Sequence, residues 1–95
     1  MEISFQDKAL ALVETEQASK TRLPVSVIES MRNKLNFLRG APDERSIRNW
    51  RSLHYEKMDG DERSIRLNDQ YRLIFRIDTG STPNKLTVLR VWDHD

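Results

Sequence analysis

Residues 64–78 read SIRLNDQYRLIFRID, and the alternation within them decides the fold. Ile65 and Leu67 point one way, while Ser64, Arg66 and Asn68 point the other. After Asn68-Asp69-Gln70 the pattern resumes. Tyr71, Leu73, Phe75 and Ile77 share one side, and Arg72 and Arg76 take the opposite one. A period of two is the signature of a half-buried strand. Two such strands joined by a three-residue turn form a hairpin in which Leu67 faces Tyr71 and Arg66 faces Arg72. One face is then apolar and the other carries arginines. Like charges set opposite each other are destabilising, and a fold tolerates them more readily where an anion is bound.

Upstream of the hairpin, MDGDE predicts a turn centred on Asp59-Gly60, and Ser52–Lys57 (SLHYEK) reads as a preceding strand. Ala41–Trp50 reads as a loop, with Ile47 and Trp50 suggesting one helical turn that pins it to the core. Before it, Leu23-Pro24 opens a helix through about Arg39, because Pro suits a first turn that needs no N–H partner. Ser26 and Glu29 offer a capping box as an alternative start. Val27, Ile28, Met31, Leu35 and Leu38 follow helical spacing. Gly40 fits a C-cap, and Pro42 prevents resumption. DKALALVETEQASK, residues 7–20, reads as a first helix with Asp7 near its positive end. ISF before it reads as a short edge strand. Downstream, GSTPN is a long turn and LTVLRVWDH the last strand.

The element order is β-α-α-β-β-β. The predicted class is α+β: two N-terminal helices packed on one face of an antiparallel sheet, in one domain over residues 1–95. The other face is expected to be partly open and to carry Arg66, Arg72 and Arg76. The hexapeptide DERSIR occurs twice, at Asp43–Arg48 and Asp61–Arg66. Its flanks differ, whereas true repeats also repeat their surroundings. The first copy falls in a loop and the second enters a strand, so no repeat fold is expected.

Ninety-five residues with 37% apolar content allow one modest core. The absence of Cys excludes disulfides, Cys-ligated zinc and a Cys nucleophile. No apolar run spans a membrane, and MEISFQDK has no signal-peptide pattern, so the expectation is a cytoplasmic protein without a membrane partner. Net charge is +1, yet eleven basic and seven acidic side chains lie between Arg32 and Arg76. Arg predominates over Lys and presents a planar fork that matches phosphate and stacks on bases. That leans toward a nucleic-acid partner, with Arg51 joining Arg66 and Arg76 as contact candidates, against the alternative of a solvated, salt-bridged surface.

The histidines are His54 and His94. They have no metal-ligand spacing, and no Gly-rich phosphate loop is present, so no metal or cofactor is expected. His54, Lys57, Arg66, Arg72, Asp93 and His94 remain. These types suffice for metal-free RNA cleavage. A base removes the ribose 2′-OH proton, cations stabilise the phosphate, and an acid protonates the leaving 5′-oxygen. His suits both proton roles. Ordinary surface histidines and solubilising arginines fit the same spacing.

LHYEK, then SIRLNDQYRLIFRI, then a last strand ending in Asp-His resembles the HigB branch of the RelE/ParE toxin superfamily. The resemblance extends over most of the chain and is strongest over residues 53–77. It implies a RelE-like microbial RNase fold and a type II toxin that cleaves mRNA in the ribosomal A site. It further implies neutralisation by a HigA-like helix-turn-helix antitoxin, with operator DNA bound only through that complex. By the same resemblance, His54 and Lys57 match the catalytic His and Lys. Arg72 matches the Arg of the aromatic-Arg strand, and Arg66 lies in the strand before it. The C-terminus departs, because VWDHD has no Tyr between Asp and His. Either Asp93 and His94 take the terminal catalytic roles in a shifted register, or the terminus is truncated or weakened. Two other readings remain: a ParE-like protein that inhibits a topoisomerase without chemistry, and a non-toxic RNA- or antitoxin-binding module.

Overall fold

The computed structural model describes residues 1–93. His94, expected among the catalytic residues, lies outside them. Five strands form one sheet in the order β1-β5-β4-β3-β2. They are β1 (Glu2–Phe5), β2 (Glu56–Lys57), β3 (Arg63–Arg66), β4 (Tyr71–Asp78) and β5 (Lys85–Asp93). The hairpin has the expected register: Arg66 pairs with Arg72 and Ile65 with Leu73. Leu67 N donates to Tyr71 O at 2.9 Å and closes the turn. The first strand is at an edge, as its shortness suggested, but it runs parallel to β5 and makes the sheet mixed.

Helix α1 (Val25–Gly40) lays Val27, Ile28, Met31, Leu35 and Leu38 into the core, all of them buried. This is the stripe that the spacing predicts. Its ends differ from expectation. Pro24 is the N-cap, and its carbonyl accepts from Val27 N and Ile28 N, with no side-chain cap. Gly40 is the last helical residue and does not turn left-handed. The carbonyls at this end accept instead from the Met1 ammonium, at 3.0 Å for Leu38, 3.1 Å for Arg39 and 2.5 Å for Ala41. A cation there satisfies orphan carbonyls and opposes the negative end of the dipole.

The expected first helix is two short 3-10 segments, Lys8–Glu14 and Ala18–Thr21. Thr15 explains the break, because its backbone N and its hydroxyl both donate to Leu12 O, at 2.9 and 2.8 Å. A threonine hydroxyl offers the chain an alternative to helical bonding. Arg32 of α1 then donates to the carbonyls of Val13 at 2.7 Å and Thr15 at 3.0 Å, tying the segment down.

The first DERSIR copy is not a loop but a short helix, α2 (Glu44–Asn49), capped by Asp43 through Arg45 N at 2.9 Å. Ile47 is its buried anchor. The second copy runs into β3. SLHYEK is a strand only at Glu56–Lys57; Arg51–Leu53 is a 3-10 turn that ends on His54.

In β5, Arg90 pairs with Ile74 but Val88 with Phe75, so Leu89 is the extra residue of a bulge. Strict alternation from Leu86 and Val88 would send Arg90 into the core. The bulge resets the phase. Val91 comes opposite Leu73 on the core side, and Arg90 moves to the outer face.

Candidate functional site

Leu53 is wholly buried, and the chain must leave the core directly after it. It does so through His54, which adopts φ 48°, ψ 54°. A non-glycine residue in this left-handed region is uncommon and costs about 1 kcal/mol or more. The conformation turns the His54 carbonyl toward the sheet, where it accepts from Arg72 Nη2 at 2.5 Å. Arg72 Nε donates to Ser64 Oγ at 3.1 Å, and the Glu56 carboxylate stands 3.9 Å from Nη2.

Arg72 is therefore not the open-face cation that the alternation suggested. Its side chain is 11% exposed. Burial without partners would be prohibitive for a guanidinium; two acceptors and a carboxylate compensate it. Arg66 stands next to Arg72 in register, and its charge is balanced by Asp69, with a further bond to Asn68 O at 3.3 Å. On the other side of Arg72 stands Trp92, and the next pair along is Tyr71 with Asp93. Gln70 Nε2 donates to Asp93 Oδ2 at 3.1 Å. Arg66, Arg72 and the end of β5 thus form one row across three strands, with the His54 backbone joined to it.

Lys57 is placed differently. It pairs in register with Arg63, and its charge helps hold the Glu44 carboxyl below its usual range, after the Tyr55 hydroxyl bond and Arg48. Successive residues of a strand face opposite ways, so Lys57 and Glu56 part company. Arg76 is exposed four residues along β4 from Arg72, about 13 Å away at strand rise. It borders a concavity of about 400 Å³ with Asp61 and Lys85. Arg51 is exposed beside His54, on a second concavity of about 270 Å³. Among the described residues, no group of three or more His, Asp or Glu is placed to hold a metal ion.

Sequence reading missed the supports. Ser64, 1% exposed, is the hydroxyl that fixes Arg72. It sits in the alternation as one more outward residue, with nothing to mark it as buried. The Tyr55 hydroxyl donates to Glu44 at 2.5 Å, and burial with this bond pushes its pKa up to about 12. Glu62 accepts from Arg90 at 2.9 and 3.2 Å, a pair that reaches across β4 beside the buried Ile74. Arg90 holds the Glu62 carboxyl below its usual range.

A five-stranded sheet covered on one side by a long helix matches the fold of the RelE/YoeB-type toxins. The solved YoeB/ParE toxin from Agrobacterium tumefaciens has this fold, with a TM-score of 0.61 over 100% of both chains at 14% identity. The family described as RelE-like toxin of the type II toxin-antitoxin system HigB matches residues 3–88, and the chain belongs to that family. No curated protein matches the sequence. The protein is thus a toxin of the type II toxin-antitoxin class, a class that implies an antitoxin partner. No helix among the described residues is long and apolar enough to cross a membrane.

Proposed function

We propose that the chain is a ribosome-dependent mRNA endonuclease of the cytoplasm, neutralised by a HigA-like helix-turn-helix antitoxin through which alone it meets operator DNA. The observation that carries this reading is Arg72, held by the His54 carbonyl and Ser64 Oγ in a row with Arg66 and the end of β5. A guanidinium has five N–H donors. Two are committed, which orients the fork and leaves the others for a phosphate. In this reading Arg72 stabilises the charge that develops on the scissile phosphate. The 2′-oxygen loses its proton, attacks phosphorus and displaces the 5′-oxygen, which takes up a proton. His54 serves one proton transfer, and Asp93 with His94 serves the other. Lys57 takes the catalytic Lys role that the family resemblance implies, and Arg51, Arg66 and Arg76 hold the strand by its phosphates. A shallow face of this kind does not by itself align an RNA strand for in-line attack, so alignment falls to the ribosome.

Binding without chemistry, in the manner of a topoisomerase inhibitor, is favoured by one observation: Lys57 is drawn to the Glu44 side, away from Arg72. Induction of the chain alone, with mapping of new mRNA 5′ ends, separates the two. The expected result is growth arrest with cleavages inside translated frames and little cutting of free RNA. Arrest with intact mRNA and altered DNA supercoiling would replace the enzyme by the inhibitor. The partner is tested by co-expression with the product of the adjacent reading frame, which is expected to co-purify at moderate salt.

A further inference from the structure

The segment between α1 and β2 builds a concavity beside the catalytic row and shares His54 with it. Arg48, Trp50, Arg51, His54 and Tyr55 line it, and its volume is about 270 Å³. That is below the usual range for drug-sized ligands, about 300–1,000 Å³, and suits one nucleotide. We infer that it is a subsite for one nucleotide of single-stranded RNA, with the base against Trp50 and Arg48 and the phosphate at Arg51. The inference rests on the RNA-cleavage reading and adds the place where the strand is gripped beside His54.

Three features make the concavity a built site. Its aromatic walls are fixed. The Trp50 ring meets Phe37 edge-on, with centroids 4.7 Å apart at 72°. Tyr55 stacks at 6.3 Å on the buried Phe75 and is tied through its hydroxyl to Glu44. Its cations are arranged for a planar, anionic ligand. The Arg48 guanidinium lies 5.2 Å from the Tyr55 ring centre and 3.4 Å from the Glu44 carboxylate. The guanidinium is therefore held over the Tyr55 ring by two contacts, and a base can pack against it. Arg51 makes no ion pair among the described residues. Finally, the left-handed turn at His54 brings that residue to the rim of the concavity while its carbonyl holds Arg72. A nucleotide seated there is continuous with the arginine row. Fixed aromatic faces with an adjacent unpaired cation are the recognition chemistry of single-stranded RNA, in which unstacked bases meet side-chain planes.

The test is a titration of the full chain with a short single-stranded oligoribonucleotide, followed by NMR. The Trp50 indole N–H and the Arg48 and Arg51 signals are expected to move together and to saturate. Arg51→Ala, at an exposed position, is expected to weaken this binding roughly fivefold to tenfold. Its spectrum is expected to stay otherwise native. Trp50→Ala is expected to weaken it by tenfold or more, and its folding is checked by the same spectrum. Saturable shifts confined to residues around Arg76, with Trp50 unmoved, would overturn the subsite. So would an Arg51→Ala protein that binds like the parent, an absence of saturable binding, or an acidic peptide moving Trp50 where RNA does not. Failure of the enzyme reading shows separately, as intact mRNA when the parent chain is induced. Failure of the subsite alone shows as cleaved mRNA with an unmoved Trp50.

Discussion

Replacing Arg72 by Ala tests whether this residue is a surface cation or a partly buried brace. The side chain is 11% exposed and donates to Ser64 Oγ and His54 O. His54 is exposed, so water replaces the donor to its carbonyl. Ser64 is 1% exposed, so its hydroxyl is left without its charged partner. Leaving a buried polar group unsatisfied costs about 1–3 kcal/mol. The packed methylenes of the stem add about 1 kcal/mol, and relief of the Arg66 repulsion returns a few tenths. The net expectation is a loss of about 2–3 kcal/mol. For a domain of this size, a urea slope of about 1–1.5 kcal/mol/M converts that to a midpoint lower by about 2 M. Arg72→Lys retains the charge but not the fork that bonds two acceptors at once. It is expected to recover less than half of the loss. Both variants are expected to lose cleavage by about two to three orders of magnitude, measured where they are still folded. An Ala variant with a midpoint within about 0.3 M of the parent would show that the bonds to Ser64 and His54 carry no weight. A Lys variant as stable as the parent would show that charge alone suffices and that the fork geometry is irrelevant.

Two further outcomes concern Tyr55 and the turn at Gly60. The pKa of Tyr55 is raised from 10.0 to about 12 by burial and by its bond to Glu44, so the neutral phenol is the form that folding favours. Its contribution is complete below the unfolded value near 10 and is lost as pH rises toward about 12. Tyr55→Phe is expected to flatten the fall of the urea midpoint across that alkaline window. An unchanged alkaline limb would refute the coupling. Gly60 turns the chain with φ +65° and has open space where a Cβ would stand, so Gly60→Ala is expected to cost about 1 kcal/mol through backbone conformation alone. Thermal unfolding checks it, and no change in Tm would refute the argument.

Local pattern was enough for the hairpin at residues 64–78 and for the apolar stripe of α1. In both, the spacing of large apolar side chains admits one way to bury them. The pairing of Arg66 with Arg72 followed from a three-residue turn and the period of two. The candidates His54 and Lys57 were singled out by residue type and given roles only by resemblance to a family, because two exposed side chains have no periodicity to betray them. Tertiary structure decided the rest, because contacts across many residues set the outcome. The N-terminal helical pattern yielded to 3-10 turns when Arg32 and the Thr15 hydroxyl took the carbonyls of Val13, Thr15 and Leu12. The phase of β5 depends on one inserted residue, Leu89, and no alternation within KLTVLRVWD reveals it. Arg72 reads in sequence as an outward residue; it is partly buried because Ser64, Glu56 and the His54 carbonyl converge on it from β3, β2 and the turn before β2. Alternation states which side of a sheet a side chain takes, and only the packing of other segments against that side determines whether water reaches it.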